Sequence, residues 1–358
     1  MKVGMLTSGG DCQGLNSALR GVAKTLYNEL GNTVTIYGIR DGYRGLIERD
    51  YHVMRPEDFS DILTRGGTIL GTSRQPFKQM TKTAEDDEET KLEKMLKTVK
   101  QEGFDCLVIL GGNGTHKTAN LLSEHGVNVV TLPKTIDNDL WGTEMTFGFQ
   151  SAIDIATSVI DSIHSTAFSH SRVFIVEIMG HKAGWLTLYA GIASGADVIV
   201  IPEIPYSAEK IAQAIQKRQD SGKQFSILAV AEGAISKEEA KMSKKEFKAA
   251  REAMTQPSIS YRIADDLKEL TGQEIRVTIP GHYQRGGIPC AADRLLTSRL
   301  GVAAAQLIQQ KKFGYMVAIQ SNQIVPVPLK DVAGKLKTVP PDGEIVRAAR
   351  ALGLSMGD

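Results

Sequence analysis

Cysteine is scarce in this chain. Three occur in 358 residues, Cys12, Cys106 and Cys290, odd in number, far apart and never spaced C-x-x-C, which argues against a disulfide framework or a zinc site and points to a reducing compartment. Long apolar runs are absent as well. Nowhere do 18 apolar residues follow one another, and the opening "MKVGMLTSGGD" breaks its apolar run with glycine and aspartate, so neither a membrane span nor a signal peptide is expected. A soluble, cytoplasmic protein is expected. Neither sign of charge dominates, with 42 basic against 41 acidic residues; nucleic acid is therefore not an expected partner, and any anion must be bound locally. Two common phosphate signatures are also missing: G-x-x-x-x-G-K-[ST] occurs nowhere, and no G-x-G-x-x-G follows the first apolar run.

What is present fits a globular protein of one large or two ordinary domains, with 42% apolar and 23% charged residues. Short apolar or β-branched runs bounded by glycine recur at 3–7, 33–39, 106–110, 127–132, 172–178, 197–201, 226–231 and 274–279. Stretches of helical period separate most of them, the alternation that produces βαβ units and doubly wound, mainly parallel α/β sheets. Strands so continuously apolar are covered on both faces, and ligands of such folds sit beyond the strands' carboxyl ends. Two charged stretches read as solvated surface. Residues 82–103 carry Leu92, Met95, Leu96 and Val99 at helical spacing and predict an amphipathic helix, while 236–254 lacks a strong apolar stripe and reads as a surface excursion.

The chemistry concentrates at the ends of the apolar runs. Three glycine-rich turns, "TSGGDCQGLNSALRG" (7–21), "RGGTILGTSR" (65–74) and "GGNGTHKTA" (111–119), can offer backbone N–H groups and helix amino ends to phosphates. "TLPKTIDNDLWGT" (131–143) sets Lys134, Asp137 and Asp139 where a strand ends; such carboxylates serve as general bases, metal ligands or turn caps. In the second half, Arg172, Arg276, His282 and Arg285 are groups that clamp a phosphate dianion, and Glu232 can accept from a sugar hydroxyl.

In order along the chain, "TSGGDCQGLNSALRG", "DGYRGL", "GGTILGTSR", "GGNGT", "PKTIDND", "SHSRVFIVEIMG", "VAEGA" and "GHYQRGG" resemble the motifs of the 6-phosphofructokinase family, bacterial type. The resemblance covers essentially the whole chain. It implies two doubly wound domains with the active site between them: 1–148 plus 284–334 for the nucleotide or phosphoryl donor, and 149–283 plus 335–358 for the sugar phosphate. It implies phosphoryl transfer from ATP, with Mg2+, to the 1-hydroxyl of fructose 6-phosphate. Asp137 matches the general base, with Thr135, Lys134 and Gly10 beside the transferring group. Gly10, Tyr43, Arg74, Gly111, Gly112, Asn113, Gly114 and Thr115 match the nucleotide side, Tyr43 being expected to pack against the base. Thr135, Asp137, Asp139, Arg172, Met179, Gly180, Glu232, Arg276, His282 and Arg285 match the sugar-phosphate side, and Asn113 and Asp139 the metal side. Arg172 and Arg276 match residues that reach in from a neighbouring subunit, which implies a homotetramer, or at least a homodimer, with shared active sites.

Three features depart from the commonest pattern. Asn113 stands where ATP-users of the family usually carry a magnesium-binding aspartate. Lys134 stands where they commonly have glycine, whereas pyrophosphate-users pair that lysine with an aspartate at the position of Gly114. Glycine leaves room for the nucleotide, so ATP is the expected donor and pyrophosphate the alternative. At the bacterial effector site Arg20 matches, but Lys24 and His164 replace arginines. A silent sugar-phosphate sensor would have no need of Asp137, and NAD or lipid kinases, which share the G-G-[DN]-G-T turn, would leave "GHYQRGG" unexplained. If Asp137 and Asp139 lie on an extended loop, their side chains point to opposite sides, one toward the hydroxyl and one toward metal or sugar.

Overall fold

The structure is a computed structural model that describes residues 1–83 and 88–358. Among the described residues the strands are, in chain order, β1 (Lys2–Ser8), β2 (Thr35–Ile39), β3 (Tyr51–Met54), β4 (Cys106–Gly111), β5 (Val129–Pro133), β6 (Val173–Ile178), β7 (Val198–Val200), β8 (Ser226–Ala231), β9 (Ile275–Thr278), β10 (Tyr315–Gln320) and β11 (Gln323–Pro328). The chain divides into two compact units, Met1–Ser151 with Arg285–Leu336, and Ala152–Gln284 with Lys337–Asp358. No helix among the described residues is long and apolar enough to cross a membrane.

The first unit is built on a seven-stranded sheet of order β11-β10-β5-β4-β1-β2-β3. β4 and β5 are buried along their whole length and β1 nearly so, which is why each reads as an unbroken apolar run and why they pair in parallel under helices on both faces. β1 pairs with β4 so that Ser8 stands opposite Gly111, and β4 pairs with β5 so that Gly111 stands opposite Pro133. Three loops therefore leave the sheet at one level. β2 and β3 lie on one side of β1, and β4 and β5 on the other, so this level is also where the strand order reverses, the place where open α/β sheets bind ligands.

The second unit carries a parallel four-stranded sheet of order β7-β8-β6-β9. Here Ile178 pairs with Ala231 and Val176 with Thr278, so the loops after β6, β8 and β9 also emerge side by side. A core of Val173, Ile175, Leu228 and Val230 against Ile211, Ile215, Ile263 and Leu267 packs helices Ala208–Asp220 and Ile259–Thr271 onto this sheet.

Three strands escape the sequence pattern: β3 and β11 at the two edges of the first sheet, and β10 just inside β11. β3 runs antiparallel at one edge with His52 and Val53 exposed. β10 and β11 form a hairpin turned by Ser321 and Asn322, both at positive φ (47° and 58°), which matches the twist of two-residue hairpins. β11 holds Pro326 and Pro328, residues tolerated on an edge and misleading in a pattern search. In the charged stretch 82–103, helix Lys91–Glu102 begins at a Thr90/Glu93 capping box and buries Leu92 and Met95; residues 84–87 of that stretch lie outside the described residues. The excursion 236–254 is tethered more firmly than its composition suggests. Glu239 is buried and ion-pairs with Arg251 and Arg262.

In the first unit Asp293 is wholly buried and ties two helix starts together. Its carboxylate accepts from the Gly148 amide (3.0 Å), the Ser151 amide (2.8 Å) and the Ser151 hydroxyl (2.6 Å), and the same hydroxyl accepts from the Cys290 amide (2.9 Å). A buried donor deprived of its acceptor costs about 1–3 kcal/mol. Asp293→Ala is therefore expected to destabilise the protein by at least ~3 kcal/mol, and Asp293→Asn, which keeps one acceptor, by clearly less; denaturant unfolding of the two variants checks both the size and the order.

Candidate active site

The turn after β1 is assembled by a second glycine-rich segment. Thr7 Oγ1 donates to the Gly71 carbonyl (2.7 Å), Thr72 Oγ1 to the Gly9 carbonyl (2.7 Å) and the Gly9 amide to the Ser73 carbonyl (3.1 Å). This stitching brings the exposed Arg74 beside Gly9 and Gly10. Two cations close on the same turn. Lys134 donates from Nζ to the Gly10 carbonyl, and Arg285 from Nη1 to the Asp11 carbonyl (3.0 Å). A Cβ on Gly10 would stand 3.0 Å from Arg285 Nη1, close enough to push the guanidinium back from the backbone. Lys134 is only 3% exposed. Burial is the largest influence on its ammonium and lowers the pKa, Arg285 works in the same direction, and Cys12, Asp137 and Asp11 oppose.

The turn after β4 leads directly into helix Asn113–Glu124, whose N-cap, Gly112, has no side chain to occupy the first-turn N–H groups. Those donors and the positive helix end suit a phosphate. A Cβ on Gly111 would fall 2.4 Å from the Thr115 side chain, whereas nothing lies within 4 Å of one on Gly114; the first glycine is demanded by packing and the second is not. Asn113 donates from Nδ2 to the Lys335 carbonyl (2.6 Å), which commits the nitrogen and leaves its amide oxygen as the acceptor. Tyr43 differs from expectation. Its ring is 1% exposed within the core around Leu6, Ile39 and Leu46, and its hydroxyl donates to the Thr115 carbonyl (2.8 Å). It braces the turn after β4 from behind and presents no open ring face.

The loop after β5 also departs from expectation. It is not extended: Ile136 and Asp137 form a turn, and Asn138 sits at φ 50°, with Oδ1 accepting from the Thr146 amide (3.1 Å) and Nδ2 donating to the Glu144 carbonyl (3.3 Å). Strand-like alternation therefore does not describe Asp137 and Asp139. What separates them is burial, Asp137 being partly exposed and Asp139 buried. The Asp137 amide donates to Thr135 Oγ1 (3.0 Å), and the Thr135 carbonyl accepts from Thr146 Oγ1 (2.7 Å), so the acid stands on a pinned backbone.

In the second unit Met179, Glu232 and His282 line a cavity of about 120 Å³ together with Glu177, Ile279, Gly281 and Gln284. Glu232 Oε1 accepts from the amides of Gly180 (3.2 Å) and His181 (2.7 Å), tying the loop after β8 to the loop after β6. Gln284, wholly buried, accepts from the Met179 amide (3.2 Å) and donates to the Gly281 carbonyl (3.2 Å), which adds the loop after β9. Arg172 and Arg276 lie elsewhere, at the amino ends of β6 and β9, where both contact Glu274. The six residues of β6 span roughly 20 Å, so these arginines stand a strand's length from Met179. Arg285 belongs to the first unit, on the β1 turn.

Gln284, Glu274 and His116 are the residues that sequence reasoning missed. The signal for Gln284 was its place inside "GHYQRGG"; a lone glutamate and a lone histidine carry none. Of the effector-site positions, Arg20 and Lys24 lie one turn apart on helix Leu15–Leu30, while the His164 ring is engaged with the Ser194 carbonyl (2.9 Å) and edge-on to Phe225. A larger hollow of about 300 Å³ in the second unit is lined by Glu209, Glu238, Asp266 and Glu269, and its one arginine, Arg262, is already paired with Glu239. Its charge suits no phosphate.

The family model described as "Phosphofructokinase" matches residues 2–308. A protein of Spirochaeta thermophila named ATP-dependent 6-phosphofructokinase is 55% identical over 99% of this chain and 97% of its own length. One of Propionibacterium freudenreichii with the same name is 45% identical over the full length of both. Among solved structures, phosphofructokinase of Pichia pastoris in the T-state superposes on 92% of this chain with TM-score 0.79 at 32% identity; the chain spans 35% of that longer protein. The pyrophosphate-dependent phosphofructokinase of Nitrosospira multiformis reaches TM-score 0.80 over 96% of this chain and 87% of its own, at 20% identity, a likeness of fold.

His116 yields a test of the turn after β4. The ring is wholly buried, and Nδ1 lies 2.9 Å from the Gly112 carbonyl, a contact that requires the proton on Nδ1 because a carbonyl only accepts. Burial, the dominant influence, lowers its pKa from 6.5 to about 4, aided by the Lys134 charge and opposed by the Gly112 contact. Between those values the unfolded chain takes up a proton that the folded chain refuses, so stability falls as pH drops from 6.5 to about 4. Unfolding free energy is expected to lose up to ~1.4 kcal/mol per pH unit from this group. His116→Gln should flatten the dependence by that amount; an unchanged slope would show that the ring is not held neutral.

Proposed function

The chain belongs to the phosphofructokinase family, and from that premise we propose that it transfers the terminal phosphoryl group of ATP to the 1-hydroxyl of D-fructose 6-phosphate, giving fructose 1,6-bisphosphate and ADP. The observation that carries the proposal is the common level of Ser8, Gly111 and Pro133. It gathers a glycine turn, an open helix amino end, a buried lysine and a partly exposed aspartate at one strand-end level, and full-length relatives named ATP-dependent supply the donor.

In this reading Asp137 accepts the proton of the 1-hydroxyl as its oxygen bonds to the γ-phosphorus and the bond to the ADP oxygen breaks. Lys134 offsets negative charge on the transferring group, and the buried setting strengthens that effect. Thr135 and Gly10 stand beside the reacting phosphoryl group. The first-turn amides from Gly111 to Thr115, with Arg74, hold the donor's phosphates. Met179, Gly180, Glu232, His282 and Arg285 hold the sugar phosphate. The oxygens of Asn113 and Asp139 are hard donors of the kind Mg2+ takes. Among the described residues no group of three or more His, Cys, Asp or Glu could cage a metal, which fits an ion that enters with the donor's phosphates. Bound there, Mg2+ would supply neutralisation of phosphate charge; Asn113 and Asp139 would hold it.

Arg172 and Arg276 are assigned to the 6-phosphate of a sugar bound in a neighbouring subunit. Their distance along the strands from Met179 within one chain supports this, and it makes a homotetramer, or at least a homodimer, the working form. The cytoplasm is the proposed location, in keeping with Cys12, Cys106 and Cys290 all being free thiols.

The donor is tested by incubating fructose 6-phosphate and Mg2+ with ATP or with pyrophosphate and measuring fructose 1,6-bisphosphate. ATP is expected to support turnover; product from pyrophosphate alone would reassign the donor and leave the fold untouched. Because no atom lies within 4 Å of a Cβ on Gly114, Gly114→Asp should fold normally, and it is expected to suppress ATP use far more than pyrophosphate use. The base and the shared site are tested together. Asp137→Ala should lower turnover by about 10²–10⁴ with sugar-phosphate binding retained. Mixed oligomers of Asp137→Ala and Arg172→Ala chains, each inactive alone, should regain activity, and no regain after verified subunit exchange would return Arg172 to its own chain's site.

A further inference from the structure

Glu274 precedes β9 as Arg172 precedes β6. Val173 pairs with Ile275 and Phe174 with Arg276 in parallel register, so Arg172 falls opposite Glu274. Arg276, two residues further along the strand, shares Glu274's face. The contacts follow from that register. Arg172 Nε donates to Glu274 Oε2 at 2.6 Å, and Arg276 Nη2 donates to the other oxygen, Oε1. The backbone is fixed as well, the Val173 amide donating to the Glu274 carbonyl (3.4 Å). One carboxylate thus holds two guanidinia, each by one edge, and two positive charges less one negative leave the cluster at +1. The arginine side chains remain 29% and 55% exposed.

We infer that Glu274 is a positioning residue for sugar-phosphate binding: it holds Arg172 and Arg276 as a preformed pair whose remaining N–H groups meet the phosphate dianion. This rests on the assignment of the two arginines made above. A free arginine loses much of its rotamer freedom on gripping a phosphate, and a pair already held loses less, which appears as tighter substrate binding. The carboxylate also keeps two like charges together in the absence of phosphate. Exposed ion pairs add little to fold stability, so Glu274 can be altered without unfolding the sheet edge, and its effect reads on binding.

The test measures KM for fructose 6-phosphate and for ATP, kcat and thermal midpoint in Glu274→Gln, Arg172→Ala, Arg276→Ala and the combinations. Glu274→Gln is expected to raise KM for fructose 6-phosphate roughly tenfold with kcat within about threefold, and to leave KM for ATP and the thermal midpoint unchanged. On the Arg172→Ala/Arg276→Ala background it should change nothing further, because there is no pair left to hold. If the arginine variants raise this KM and Glu274→Gln leaves it unchanged or lowers it, the carboxylate is a competitor or a bystander and the inference is overturned while the arginine assignment stands. If the arginine variants do not raise it, the assignment and the inference fall together. Glu274→Asp gives a second reading should the glutamine variant not fold: its charge is retained but its reach is too short for both arginines, so KM for fructose 6-phosphate must again rise.

Discussion

Parallel pairing of β1, β4 and β5 to a common end is the constraint on which the rest of the first unit depends. Once Ser8, Gly111 and Pro133 are in register, the segments that follow must share a small volume, and their residue types become a packing problem. A Cβ at Gly10 would press on the Arg285 guanidinium, while Gly111 has to be bare because Thr115 folds back over it. Lys134, first residue past β5, can only reach inward, to the Gly10 carbonyl. A slip in that register would pull the three loop starts apart and undo these contacts. The glycines are consequences of the strand register as much as of any ligand.

The same register decides the electrostatics. Lys134 is held in the interior with its ammonium bonded to a carbonyl, and Arg285 is bonded to the next carbonyl along. Carbonyls are neutral partners, and the carboxylates of Asp137 and Asp11 offset the Lys134 charge only from nearby. A site that keeps positive charge in low dielectric has a stronger pull on phosphate than the same charge in water. The mutual repulsion of Lys134 and Arg285 and the cost of burial are tolerated because the fold holds the groups in place before any ligand arrives, the condition under which such charges favour a transition state over a ground state.

Much of this was legible in the residues. The buried parallel strands announced themselves as apolar runs because both faces are covered, and two of the three glycine turns fell at their ends; the third, 65–74, follows no strand and reaches the β1 turn through hydrogen bonds to Thr7 and Gly9. What escaped has physical reasons. β3 and β11 are antiparallel edges, one short and one broken by prolines, so no periodicity marks them; β10, an interior strand with a buried apolar middle, was simply passed over. Tyr43 was expected to pack against the nucleotide's base, but whether a tyrosine is open to a ligand depends on helix Lys91–Glu102 and on the core that closes over it. The extended loop expected at Asp137 gave way to a turn because Asn138 tolerates positive φ and its side chain bonds to residues 144–146. Gln284 and Glu274 act through contacts made across strands, and such contacts exist only after the sheet has formed.

Asn113 and Gly114 occupy the one part of the turn where packing leaves the choice of residue open. Gly111 and Thr115 are locked together and Gly112 caps the helix, but Gly114 faces open space and Asn113 merely touches the Lys335 carbonyl with its amide. Residue types at these two positions are thus free of the fold and answer to the ligand. An aspartate at 113 would add a negative charge at a helix amino end, which favours it locally, and would anchor a cation beside the phosphates. The amide forgoes the charge, keeps the turn neutral and offers a cation only its uncharged oxygen. With Lys134 and Arg285 already supplying positive charge to the neighbouring turn, a neutral 113 shifts the burden of neutralising phosphate from a protein-bound metal toward fixed protein cations. Those cations do not distinguish long from short polyphosphates. In the reading proposed above, discrimination between donors rests on the open space beside residue 114, a steric criterion that acts independently of the charges around it.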